Sequence, residues 1–250
     1  MREGRLGEGE TGCARACGRH TVVPMVTLGE LQAQVAASFD RLGMPFWPNP
    51  HSGMTQPRKE EYSRVTKPER YRIVHARARV WAKRLGDLPG VEVETLAPAP
   101  LDDEGHLGRY DRGVRLASPL PDRLPLFLLE RDGRRLGLTP SPAVLHISVV
   151  RPQIALAMLP DCGCDACDWG SADLLHAIDE TIGAVVDGPF VALRGKGWHA
   201  QWHPDGGSSG GTGRGPDHAQ LMELCRRLAR REDVRLPKGV EAFVGRPWLT

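Results

Sequence analysis

Three cysteines fall within six residues in the stretch Pro160-Asp161-Cys162-Gly163-Cys164-Asp165-Ala166-Cys167-Asp168-Trp169-Gly170-Ser171. Thiolates bind soft and borderline metals, and a Cys-x-Cys-x-x-Cys spacing lets one tight turn aim three sulfurs at one point. Structural zinc takes four protein ligands in a tetrahedron, so Cys162, Cys164 and Cys167 leave one donor to be found. The candidates are Asp165, Asp168, Cys225, His146, His176, His199 and His203, with His199 or His203 the preferred further ligand. Three other chemistries compete. Cys164-x-x-Cys167 has the spacing of a thiol redox pair, although its second cysteine, not its first, would precede the helix. An iron–sulfur cluster asks for four cysteines. Inert reduced thiols in a turn need no partner at all. The interleaved aspartates suit turn formation and helix capping better than metal ligation beside thiolates.

The flanking elements must place this turn. Val144 to Val150 and Ile154 to Leu159 are apolar runs separated by Arg151-Pro152-Gln153, which reads as an antiparallel hairpin delivering the cysteines at its end. A helix follows over Ala172 to Val186, with Ser171 as its N-cap and Leu174, Leu175, Ile178, Ile182 and Val185 as its apolar stripe. His176 and Glu180 share another face of that helix and read as an exposed pair. Phe190 to Leu193, Gly195-Lys196-Gly197 and Trp198 to His203 predict a second hairpin. On its return strand His199, Gln201 and His203 share one face, opposite Trp198, Ala200 and Trp202.

Elsewhere the chain alternates short strands with helices. Thr27 caps a helix running to about Leu42. Met44-Pro45-Phe46-Trp47-Pro48-Asn49-Pro50-His51 must be extended, and His51 reads as a surface histidine after a turn. Thr66-Lys67-Pro68 opens a long helix whose stripe is Tyr71, Val74, Ala78, Trp81 and Leu85. Arg70, Arg72, Arg77, Arg79, Lys83 and Arg84 cover the rest of it. That is either a face for an acidic partner or a solvated surface, and near-balanced charge favours the surface. Strands are expected at Val91–Leu96, Val114–Ala117 and Leu124–Glu130, with a hairpin turn at Arg131-Asp132-Gly133-Arg134 and a short return to Leu138. Residues 204–216 read as a flexible Gly/Ser loop. Its G-x-S-x-G match at Ser208 lacks the strand and helix that a nucleophile elbow needs. Asp217 or Pro216 opens a last helix that runs to about Arg231, and Trp248 anchors the tail. The fold class is α+β: a mostly antiparallel sheet packed by about four helices in one domain spanning residues 25–250.

The chain has 250 residues and a net charge of +2, which fits one domain and gives no electrostatic argument for a nucleic-acid partner. No apolar run reaches the roughly 18 residues of a membrane helix. Residues 1–24 carry no periodicity and read as a disordered extension or a misassigned start. Clustered cysteines without an export signal point to a reducing cytoplasm and to metal or thiol chemistry.

Two passages, Glu60-Glu61-Tyr62-Ser63-Arg64-Val65-Thr66 with Arg70-Tyr71-Arg72, and the cysteine passage continued through Ala172-Asp173-Leu174-Leu175, resemble an uncharacterised actinobacterial family filed as a domain of unknown function. The resemblance covers most of the chain from about Met25. It implies no activity, ligand or catalytic residue. The reading that follows is a non-catalytic cytoplasmic protein with a structural zinc site. The alternatives are a metal-dependent hydrolase-type enzyme, a thiol redox protein, or a binding module using the Arg-rich helix.

Overall fold

In the computed structural model, residues 26–53, 56–101, 108–136, 139–212 and 215–249 are described. The expectation for residues 1–24 lies outside them. Among the described residues there are four α-helices: α1 (Leu28–Asp40), α2 (Ile73–Gly86), α3 (Ser171–Asp187) and α4 (His218–Ala229). Thr27 caps α1 and Asp217 caps α4, each in a reciprocal capping box with the residue three positions on, which satisfies two otherwise unpaired backbone donors at each start.

The main sheet runs in chain order, β1 (Glu92–Leu96), β2 (Arg112–Ala117), β3 (Leu126–Arg131), β4 (Val144–Val149) and β5 (Ala155–Leu159). Every neighbouring pair is antiparallel. A second antiparallel sheet has the order β8 (Gly206–Gly211), β7 (Trp198–His203), β6 (Phe190–Gly195) and β9 (Glu241–Gly245). One apolar core joins Leu31, Val35 and Phe39 of α1, Val74, Ala78, Trp81 and Leu85 of α2, and Ile178, Ile182 and Val185 of α3. Those helices lie on Leu116, Leu126, Leu128, Leu145 and Ile147 of the main sheet. The other face of β3, Phe127 and Leu129, is covered by Leu101 and Tyr110. Burial on both faces is why β3 reads as a continuous apolar run rather than an alternating one. The second sheet packs Val191, Leu193 and Ala200 against Leu221, Met222 and Cys225 of α4.

Three expectations need correction. Strand β3 is not answered by a return from Arg135: its neighbours are β2 and β4, and Arg135–Leu136 pairs instead with Thr139–Pro140 in a ribbon of its own, residues 137 and 138 of the expected return lying outside the described residues. Residues Gly206–Gly211, expected within a flexible loop, form the edge strand β8 along β7, held through backbone bonds that need no side chain. Ser171 is the first residue of α3 and not its cap. Gly170, at φ 89°, stands at the cap, and the Ser171 hydroxyl is bonded to the backbone of Trp47.

Candidate metal centre

The β4–β5 hairpin ends at Leu159, a cis Leu159–Pro160 bond follows, and the chain makes one 3₁₀ turn, Asp165–Cys167, before entering α3. All three sulfurs sit on this crossing. Cys164 is buried, Cys167 half-buried and Cys162 exposed. Their Sγ atoms lie within 4.8 Å of one another, and those of Cys162 and Cys164 are 3.3 Å apart. Thiolates arranged tetrahedrally on a metal at about 2.3 Å lie about 3.8 Å from one another, so the spread of these donors matches what one ion requires. The three cysteines are thus placed closely enough to hold a metal ion.

The turn also prepares a thiolate. Burial works to raise the Cys164 thiol, but hydrogen bonds from Cys162, Cys167 and the Cys167 and Ala166 amides outweigh it and leave its pKa lowered. Cys167 is the complement: its hydrogen bond with Cys164, then burial, pushes it up to about 12. Donors that converge on the Cys164 sulfur favour its thiolate form, which is the form that binds a metal.

What fixes the turn is a set of contacts to a distant part of the chain. Asp165 accepts from the Thr66 amide at 2.7 Å, the Thr66 hydroxyl at 2.6 Å and Arg64 Nε at 2.6 Å. Its own amide donates to the Arg64 carbonyl at 2.8 Å. Burial works to raise its carboxyl pKa; the Thr66 and Arg64 donors prevail and lower it. Asp168 is buried and accepts from Arg70, from Trp47 Nε1 at 3.0 Å and from the Gly170 amide at 2.9 Å. The Arg70 guanidinium lies over the Trp47 ring at 4.7 Å from its centroid. The Trp47 amide donates to the Ser171 hydroxyl and the Ser171 amide to the Trp47 carbonyl, and a side chain at Gly170 would strike Asn49 N at 2.7 Å. His51 reaches the same place: its Nε2 lies 3.0 Å from the Asp165 carbonyl oxygen. The two passages that carry the family resemblance therefore meet in space, with the carboxylates of one bonded to the donors of the other.

The further ligands expected from the sequence lie elsewhere. His199 is on β7, exposed and opposite Arg194 of β6; burial of its ring and then Arg194 lower its pKa. His203 ends β7 with Nδ1 3.8 Å from Asp205. Both belong to the second sheet, and the sulfur cluster includes neither. His146 is buried on β4, lowered to about 4 by burial and then Arg131. His176 pairs with Glu180 at 3.0 Å on the exposed face of α3. Cys225 is buried beneath α4, where burial pushes it up to about 12. Asp165 and Asp168 are engaged as described above. Nothing local in the sequence links Trp47, His51 or Thr66 to the cysteine turn, because no residue type marks itself as the partner of a remote group.

Of the six basic residues named on this stretch, five have acidic partners, and Arg72 is exposed. Arg70 pairs with Asp168, Arg77 with Asp179, Arg79 with Glu130, and Lys83 and Arg84 with Asp87.

Fold and site together define an α+β domain whose sheet-to-helix crossing is a cysteine turn clamped by remote donors. The model of a family of unknown function, DUF6226, matches residues 35–250, and the chain belongs to that family. No curated protein and no solved structure matches the chain. Among the described residues no helix is long and apolar enough to cross a membrane.

Proposed function

We propose that Cys162, Cys164 and Cys167 hold a zinc ion whose role is structural, in a non-catalytic protein of a reducing compartment such as the cytoplasm. The observation that carries this reading is the convergence of three sulfurs on the crossing between β5 and α3. Zinc is favoured because thiolate sets select soft and borderline ions and a structural role asks for no redox change. A structural role is favoured because the turn is clamped on both sides by Asp165 and Asp168. An ion there would fix the crossing from within while the carboxylates fix it from outside.

Thiol redox chemistry is a second reading, favoured by the exposure of Cys162 and its 3.3 Å approach to Cys164. A face for an acidic partner on α2 is disfavoured by the internal pairing of its arginines.

Metal analysis of purified protein, beside a Cys164→Ser variant, tests the proposal. About one zinc per chain, lost in the variant, is the expected result. A metal-free protein with three titratable thiols in the turn would overturn it and favour the redox reading.

A further inference from the structure

Three thiolates leave a structural zinc one ligand short. We infer that His51 is the fourth ligand, giving a Cys3His site; this rests on the proposal that the cysteine turn binds metal. Among the described residues, His51 is the histidine bonded to the cysteine turn itself: its Nε2 meets the carbonyl oxygen of Asp165, the residue between Cys164 and Cys167 in the turn. The segment bearing it is held there independently. The Trp47 amide donates to the Ser171 hydroxyl at 3.1 Å, and the Ser171 amide donates to the Trp47 carbonyl at 3.1 Å. Gly170 lies against Pro48 and Asn49. The Asn49 side chain then accepts from the His51 amide at 2.7 Å, which fixes the turn that carries the histidine.

The ring nitrogens of His51 are not gathered with the three sulfurs; Nε2 is bonded to the carbonyl instead. Ligation exchanges that one hydrogen bond for a metal–nitrogen bond. The Asp165 carbonyl keeps the Asp168 amide, 3.4 Å away, so no buried acceptor is left bare. Nε2, the donor to the carbonyl, gives up its proton, Nδ1 carries the ring proton instead, and the freed Nε2 lone pair goes to the metal. The alternatives are held elsewhere: His203 beside Asp205, His199 on β7, and both carboxylates of the turn by Arg64, Thr66, Arg70 and Trp47.

Titration of the full chain with Co²⁺ and Zn²⁺ tests the assignment, using wild type, His51→Ala and His51→Cys, with the ¹⁵N shifts of the wild-type His51 ring followed as Zn²⁺ is added. In wild type, visible Co²⁺ bands of a tetrahedral thiolate site are expected, with a large shift of the His51 ring nitrogen. His51→Ala should lose more zinc affinity than the roughly 10–100-fold that follows loss of an outer hydrogen-bond partner. His51→Cys should restore tight binding, which no purely positioning role for the histidine would allow. Metal binding by wild type that His51→Ala leaves unchanged overturns His51 as ligand and leaves the cysteine site standing. An affinity loss that cysteine does not rescue, with the ring nitrogen unshifted, also overturns it. Wild type that binds neither ion removes the site and this ligand together.

Discussion

The amide and the hydroxyl of Thr66 both donate to the carboxylate of Asp165, at 2.7 and 2.6 Å, across 99 residues of chain. With Arg64 as a third donor, Asp165 is the point at which the segment before α2 is fastened to the cysteine turn. Asp165→Ala removes the acceptor shared by Thr66 and Arg64; both donors face solvent, so water takes its place and a small but measurable loss of folding stability is expected. Urea denaturation of metal-free protein measures it, so that loss of a bound ion cannot contribute. A midpoint equal to that of wild type would show that the clamp adds nothing.

Asp168 carries the second fastening, and it is the more buried one. It pairs with Arg70, whose side chain is only 18% exposed, and with the indole N–H of Trp47. Asp168→Ala strands a largely buried guanidinium, and a loss of about 3 kcal/mol is expected. Trp47→Phe keeps most of the ring and removes one charge-assisted bond, for which about 1.5–3 kcal/mol is expected, partly offset by water reaching the carboxylate. The two effects should be less than additive, because both variants remove the same bond, and a double-mutant cycle by chemical denaturation reads the coupling.

His146 gives a pH dependence of definite sign. Burial lowers its pKa from the ordinary 6.5 to about 4, and His75 is lowered by burial as well. Between those values the unfolded chain binds protons that the folded chain refuses. The contribution is therefore fully present above pH 6.5 and is lost as pH falls toward 4, for His146 about 3 kcal/mol in all. Among the described residues its Nε2 has no partner, so His146→Leu removes the titrating group without breaking a bond they make to that nitrogen. The variant's unfolding midpoint should fall less steeply with acid than that of wild type. Parallel profiles would contradict the assignment.

Helix α2 should not bind polyanions. Arg77 and Arg79 are bonded to Asp179 and Glu130, and releasing them for phosphate would expose those carboxylates to it. Anisotropy with labelled single-stranded DNA should show no binding at about 50 mM salt, where phosphate contacts are strongest. Binding that falls steeply toward 200 mM would restore the acidic-partner reading.

Features fixed by neighbours in sequence were legible. Thr27 and Asp217 cap α1 and α4, the stripe from Tyr71 to Leu85 is buried, and β4 and β5 pair across Arg151-Pro152-Gln153. So was the cysteine turn itself, because its donors are adjacent. What holds the turn was not legible, since Trp47 and Asp168 are 121 residues apart and neither residue type implies the other. Ser171 misled for the same reason: a hydroxyl before a helix caps it by default, unless a remote backbone such as that of Trp47 takes the hydroxyl first. Gly206–Gly211 misled because a strand held only by backbone pairing with β7 leaves no side-chain pattern. His199 and His203 were attractive for their shared face, but strand order puts β7 in the other sheet.

The most direct test of a structural metal at this crossing is thermal unfolding of the full chain with one equivalent of zinc and again after chelation, beside Cys164→Ser. A fall in midpoint on chelation is expected, about 2–4 °C for each kcal/mol of metal-linked stability at this length, with recovery when zinc is returned and no response in the variant. Unfolding of wild type that is the same with zinc and with chelator would contradict a structural metal site.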